Sequence, residues 1–507
     1  MRRAFEVLFL LAMCLSSTQA DYWKDRAALL KNDAHHAMGA SLKLNEKEKK
    51  VNELLKTYKH KEYDSGFAYP ESFLAAQHFF QAKEGIEQSK VFNLIKKLPK
   101  GASLHSHDLA LVSQEFLFNL TYRENLYACF SDDKLKLHFF DNRSIGKDCN
   151  WTRVSELRRL DPNFDNYLRS KLSLVRDDPA KSYPDLNTAW KSFIDIFVAI
   201  ENLVAFKPVW QEYFYQVLKE LYEDNVMYLE FRGYLPEVYD LNGRTYDAVE
   251  AVGLYYDTMK KFQQDYPDFL GAKFIYAPSR RVNNNTLASY VYTFRKLKKK
   301  YANFVAGFDL VGQEDKGMPL SSFVTQLKEM KLKYGANFFF HAGETNWYGE
   351  STDFNLFDAI LLNTTRIGHG YALLKHPLAM KMIKEKNIAV EICPISNQVL
   401  KLVDDIRNHP GALLIANNFP VVVAPDDPSF WGAKGLSYDW YYAFMGMTSR
   451  ESDLRFLKQL AKNSIEFSTL NEEEKVAAFG KWENDWNSFI DKMLGKQCPK
   501  DLQDNLV

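Results

Sequence analysis

The stretch "KGASLHSHDLALV" (residues 100–112) ends a short apolar run on His105-Ser106-His107-Asp108. A β-strand repeats every two residues, so His105 and His107 share one face and Ser106 points away. Two imidazoles on one strand face can grip a single metal ion. Alone, an H-x-H is more often an ordinary exposed strand end, because short motifs give false positives. What decides the reading is whether other strands end in the same way.

From about residue 100, short apolar runs alternate with longer helix-like segments. The runs are "GASLHSHD" (101–108), "VMYLEFRG" (226–233), "KFIYAPSR" (273–280) and "VAGFDLVG" (305–312), then "NFFFHAGE" (337–344), "TRIGHGY" (365–371), "AVEICPIS" (389–396) and "PVVVAPDDP" (420–428). Eight strands alternating with helices imply parallel pairing and an α/β fold, the (β/α)8 TIM barrel. Active sites of this fold gather at the C-terminal ends of the strands. His105 and His107 end the first run, and His341, Gly343 and Glu344 the fifth. His369 ends the sixth, Asp426 and Asp427 the eighth. The fourth ends in Asp309-Leu310, with no lysine to bridge two metals, which favours one. Three histidines and a carboxylate form a zinc set with room for a water, whose pKa the metal lowers. A nearby carboxylic acid then serves as general acid, and an imidazole as base or orienter.

The rest of the chain sets the context. Residues 1–20, "MRRAFEVLFLLAMCLSSTQA", combine a basic start, an apolar stretch and a small-residue cleavage site, which predicts a secretory leader and a mature chain from near Asp21. No later segment is apolar enough to span a bilayer. Lys plus Arg equals Asp plus Glu at 65 each, a balance that argues against a nucleic-acid partner. Residues 21–95 read as a helical N-terminal extension, and 96–507 as the barrel domain. The long gap after the first strand holds helices and an inserted module at about 122–182. Cys129 and Cys149 enclose a short polar segment there, which favours a disulfide in an oxidising compartment. Cys393 reads as a buried free thiol; the state of Cys498 stays open. Acceptor motifs for N-glycosylation fall at Asn119, Asn142, Asn150, Asn284 and Asn363.

The motifs "LHSHD", "HAGET", "RIGHGYAL", "CPISNQVL" and "DDPSFWGAKGLSYDWY", in this order, resemble the adenosine deaminase family of the amidohydrolase superfamily. The leader, extension and insert are similar to those of its extracellular, growth-factor-related (type 2) branch. The resemblance covers nearly all of the mature chain. It implies zinc-dependent hydrolysis of adenosine, and of 2′-deoxyadenosine, to inosine and ammonia, which lowers extracellular adenosine. It also implies a growth-factor role, a homodimer through residues 21–95, and a receptor or glycosaminoglycan partner for the insert. Carried over, His105, His107, His341 and Asp426 are the ligands of one zinc ion. Glu344 is the acid that protonates the purine ring nitrogen, and His369 orients the attacking water. Asp427 contacts the five-membered ring, Gly343 offers a backbone donor to the purine, and Asp108 and Trp190 contact ribose. Asp108 directly follows the second histidine, whereas in the intracellular enzymes the ribose aspartate lies two residues beyond it.

Two other readings compete. A binding or signalling protein on an inactive scaffold would have lost a ligand or the acid, and this chain has all of them. An amidohydrolase acting on a nucleotide would need a basic phosphate pocket, and no basic cluster adjoins the motifs.

Overall fold

The eight runs form the eight strands of one barrel. The structure, a computed structural model, describes residues 21–131, 134–141 and 145–495. The leader expected at 1–20, Asn142 and Cys498 lie outside the described residues. In chain order the strands are β1 (Gly101–Ser103), β2 (Leu126–Ser131), β3 (Lys134–Phe139), β4 (Thr152–Arg153), β5 (Val226–Gly233), β6 (Val238–Tyr239) and β7 (Thr245–Tyr246). They continue with β8 (Gly271–Tyr276), β9 (Val305–Phe308), β10 (His341–Ala342), β11 (Arg366–His369), β12 (Ala389–Ile392) and β13 (Val421–Val423).

Two parallel sheets, ordered β1-β5-β8-β9 and β10-β11-β12-β13, make the wall. Single bridges close it at both seams, Phe308 with Phe338 and Ser106 with Asp426. Strands inside such a wall are covered on both faces, and all eight residues of β5 are buried. Helices follow the strands with ordinary start and stop signals. Asp247 and Glu250 form a capping box at the head of Ala248–Asp265. Gly335, at φ 62°, ends Val324–Tyr334 in the left-handed conformation.

The inserted module differs in part from its sequence reading. It contains helices, but its centre is an antiparallel sheet ordered β3-β2-β4. Cys129 of β2 bonds to Cys149, closing a loop with a sequence separation of 20. Cys393 is a buried free thiol.

The N-terminal region is helical at 21–35 and in Glu46–Ala68, Phe79–Gln88 and Lys90–Ile95. His78 caps Phe79–Gln88 by accepting from the Phe80 N–H. The helix Glu46–Ala68 docks on the C-terminal helices. Asn52 donates to Asp453 at 3.1 Å, and Trp486 donates to Glu48 at 2.7 Å. No described helix is long and apolar enough to cross a membrane.

Candidate active site

Each residue singled out at a strand end, except Gly343, borders one chamber at the C-terminal mouth of the barrel or lies directly beneath it. His105 and His107 follow β1, His341 begins β10, His369 ends β11, and Asp426 and Asp427 follow β13. The backbone at His369 and Asp426 has φ 59° at both positions, the left-handed region that is uncommon for non-glycine residues.

His105, His107, His341 and Asp426 each offer one ligand atom, all within 4.8 Å of one another. Asp426 Oδ1 lies 3.2 Å from His105 Nε2 and 3.1 Å from His107 Nε2. Ligands about 2.0–2.2 Å from a tetrahedral zinc ion sit about 3.4 Å apart, so the spacing suits the ion. His105 Nε2 and Asp426 Oδ1 are buried and make no well-formed hydrogen bond within the protein, as expected of atoms that serve a metal. His105, His369, Cys393 and Asp426 form a second group of similar span. Burial pushes the Cys393 thiol up, and the charge of Asp426 adds to it, so without a metal the sulfur keeps its proton.

Carboxylates behind the ligands set their tautomers. His105 Nδ1 is 2.6 Å from Glu391 Oε2, and His341 Nδ1 is 2.6 Å from Asp309 Oδ2. Both acids are fully buried, yet their partners hold them ionised, chiefly the Arg232 and Arg366 charges for Glu391, and the interaction with His341 together with the Arg232 charge for Asp309. An ionised carboxylate only accepts, so Nδ1 carries the proton and Nε2 is left bare for a metal.

Beneath the site runs a buried charge network. Arg232 donates to Asp309 at 2.8 Å and to Glu391 at 2.7 Å. Arg366 donates to Glu391 at 2.5 Å and to Glu230 at 2.8 Å. Sequence reading named Asp309 only as the end of the fourth run and passed over Glu230, Arg232, Arg366 and Glu391. The signal was present, because charges inside otherwise apolar parallel strands ("YLEFRG", "AVEIC") need partners.

Above the ligands the acids diverge. Burial pushes the Glu344 carboxyl well above its ordinary range, with Asp426 and Glu314 adding to it, so its protonated form is favoured. Burial and then the charge of Asp426 do the same for Asp427. Asp426 itself stays ionised: burial opposes this, but His105 and His107 beside it hold its carboxyl well below the usual value. Two acids of opposite protonation state side by side are the pattern of acid chemistry at neutral pH. His369 Nε2 faces both, 3.6 Å from Glu344 Oε1 and 3.7 Å from Asp426 Oδ2.

The chamber has a volume of about 420 Å³, within the range of small-molecule sites. Trp190, Phe193 and Phe197, on one face of the helix Leu186–Val204, form an apolar wall. Asp108 borders the chamber and accepts from the Tyr255 hydroxyl at 2.8 Å. Gly343 is a correction to the sequence reading. Its N–H donates to Glu314 Oε1 at 3.0 Å, and the next N–H, of Glu344, to Glu314 Oε2 at 2.7 Å. That backbone steadies the acid and is not open to a ligand. Gly312, at φ 100° with nothing within 4 Å of a would-be Cβ, and Gly233 are the glycines that border the chamber.

A barrel with acids, imidazoles and a metal-binding cluster at its mouth defines a hydrolase of the amidohydrolase type. The family model described as "Adenosine deaminase" matches residues 176–481, and "Adenosine/AMP deaminase N-terminal" matches 7–95. An adenosine deaminase of Aedes albopictus is 48% identical over 474 residues, covering 93% of this chain and 88% of that one. Adenosine deaminase 2 of Homo sapiens is 41% identical over 496 residues, covering 96% of each chain. A solved amidohydrolase of Burkhoderia ambifaria with bound Zn has a TM-score of 0.57 at 18% identity, covering 80% of this chain and 95% of that chain, a likeness that bears on the fold. The chain belongs to the adenosine deaminase family, in the branch of relatives named adenosine deaminase 2, and is an enzyme with adenosine deaminase activity.

Proposed function

We propose that the chain is a secreted, zinc-dependent deaminase that hydrolyses adenosine and 2′-deoxyadenosine to inosine or 2′-deoxyinosine and ammonia. The observation that carries this is a neutral acid, Glu344, held beside an ionised carboxylate and three imidazoles at the end of an apolar chamber. His105, His107, His341 and Asp426 would hold one zinc ion. When bound, it lowers the pKa of a water and so supplies a nucleophile near neutral pH.

The chain's own groups supply the rest. The aromatic wall of Trp190 and Phe193 takes the purine face and ribose edge, and Asp108 the ribose hydroxyls. Asp427, kept neutral by burial, meets the imidazole part of the purine as a hydrogen-bonding partner. Glu344 gives its proton to the ring nitrogen beside the carbon that bears the amino group. The water oxygen then adds at that carbon as its proton returns to the Glu344 carboxylate; the proton of the new hydroxyl passes to the amino group, the carbonyl forms and ammonia leaves. His369 orients the water. Glu314 fixes the backbone of Glu344 and keeps the acid aimed.

The disulfide supports an oxidising compartment and hence secretion. Asn119, Asn150, Asn284 and Asn363 are exposed, which supports their use as glycan acceptors. Tyr22, Trp23, Leu29 and Leu30 are exposed apolar residues at 21–35, which supports a second copy covering that face. The growth-factor role belongs with the disulfide-bonded module at about 122–182, as a receptor or glycosaminoglycan contact.

The test is Glu344→Gln, which keeps shape and removes the proton donor. The expected result is a loss of roughly 10²–10⁴-fold in kcat with zinc content unchanged. Undiminished turnover would remove Glu344 from this role.

A further inference from the structure

His369 is met from behind by a short row of polar groups. Asn397, in the helix Pro394–Val399 that follows β12, places its Nδ2 3.1 Å from His369 Nδ1. Its Oδ1 lies 2.9 Å from His409 Nε2. At the far end His409 Nδ1 accepts the backbone N–H of Gly411 at 2.9 Å. All three side chains are buried, so their pairing is set by one another rather than by water.

The last member dictates the polarity of the row. A backbone N–H only donates, so His409 Nδ1 is an acceptor and carries no proton. The single proton of His409 therefore sits on Nε2 and is donated to Asn397 Oδ1. Burial holds this imidazole neutral, with its pKa pushed down to about 3. The amide of Asn397 is thereby oriented, with its Nδ2 hydrogen directed at His369. The reverse orientation would leave His409 with two acceptor nitrogens and no proton, which no histidine has. His369 Nδ1 thus accepts, and its proton is on Nε2, the atom that faces Glu344 and Asp426.

We infer that Gly411, His409 and Asn397 form a positioning row that holds His369 as the Nε2–H tautomer, so that it presents a hydrogen-bond donor, not a basic lone pair, to the reacting water. The inference rests on the reading of His369 as the residue facing that water. It separates the imidazoles of the site into two kinds. His105 and His341 have carboxylates behind Nδ1 and a bare Nε2 in front. His369 has an amide N–H behind Nδ1 and a proton in front. A nitrogen that keeps its proton cannot bind a metal. This is why His369 stays out of the ligand set although it lies as close to Asp426 and His105 as a ligand would.

The experiment is a two-bond proton–nitrogen correlation spectrum of the zinc-loaded protein labelled with ¹⁵N-histidine. His369 is assigned by the signals missing from His369→Gln and from His369→Asn. The expected pattern for His369 is neutral with the proton on Nε2; an Nδ1–H pattern overturns the proposal. The same spectrum of Asn397→Asp tests the row. A carboxylate there accepts from both neighbours, so His369 is expected to switch to Nδ1–H. In that variant kcat is expected to fall roughly 10–100-fold with KM and zinc content held. A His369 signal unmoved by Asn397→Asp contradicts the row's control of the tautomer. The wild-type spectrum decides the first point even if the variant does not fold. Failure of the zinc and Glu344 tests would remove the reaction but leave this spectrum readable, so the two failures are distinct.

Discussion

At the residue scale, the group behind Nδ1 of His105, His341 and His369 decides what each of these imidazoles can do. Carboxylates at 2.6 Å from His105 and His341 leave Nε2 bare, and Asp426 is the anionic member of the proposed ligand set. Asp426→Ala is expected to cut bound zinc by about 10-fold or more at limiting metal, read by elemental analysis of the purified protein. A full complement of zinc in that variant would take Asp426 out of the set. That these four residues would meet was legible in the sequence, because each falls at the end of an apolar run, where a barrel strand opens onto its mouth. Their partners were less so. Glu391 and Asp309 lie in the seventh and fourth runs, apart in sequence from the histidines, and only tertiary pairing reveals which histidine each one faces. Asn397 was inside a quoted motif but carried no role, since an amide shows its polarity only through its neighbours. Gly343 was read as a donor to a ligand, because sequence alone does not show that Glu314 folds back to claim its N–H.

At the scale of elements, the barrel strands are bound by charge as well as by apolar packing. Arg366 on β11 ties Glu230 on β5 to Glu391 on β12, with no exposure to water. Removing one member of such a buried set leaves the others uncompensated, which costs far more than an exposed pair is worth. Arg366→Met is expected to destabilise the protein by about 3–5 kcal/mol in urea unfolding, or to prevent folding. A loss under about 1 kcal/mol would show that water reaches the network. The parallel strands were legible from their apolar runs, and the three strands of the insert were not. Six-residue strands with polar ends, set between helices, carry a weak signal, although "KLKLHF" in β3 does alternate and is half-buried at every second position. The docking of the extension was invisible in sequence, because it depends on a lysine that reads as surface. Lys59 is buried and donates to Thr448 Oγ1 and Ser449 O, each at 2.8 Å. Burial pushes it down to about 7, opposed by Asp453 and Glu451. Below pH 7 both folded and unfolded chains hold the proton. Above it the unfolded chain alone does, up to a pKa of about 10.4, so stability rises with pH in that window. Between pH 7 and 9 this contribution is expected to reach about 2 kcal/mol and to be absent from Lys59→Met. Identical pH slopes of urea stability for the two proteins would contradict it.

At the scale of the whole molecule, closure of the barrel is what assembles the site. Ser106 bridges to Asp426 across one seam, which brings the first strand's two histidines against the last strand's carboxylate, over 300 residues away in the chain. The four ligands therefore exist as a set only in the closed fold, and a bound metal stabilises that fold by its affinity. The most direct measurement strips the purified protein of metal with a chelator. Zinc is then returned in steps while the ultraviolet change of adenosine to inosine is followed. Turnover is expected to be absent at first, to rise in proportion to zinc, and to level off at one ion per chain. Full turnover in the metal-free protein, or bound zinc without turnover, would contradict the account.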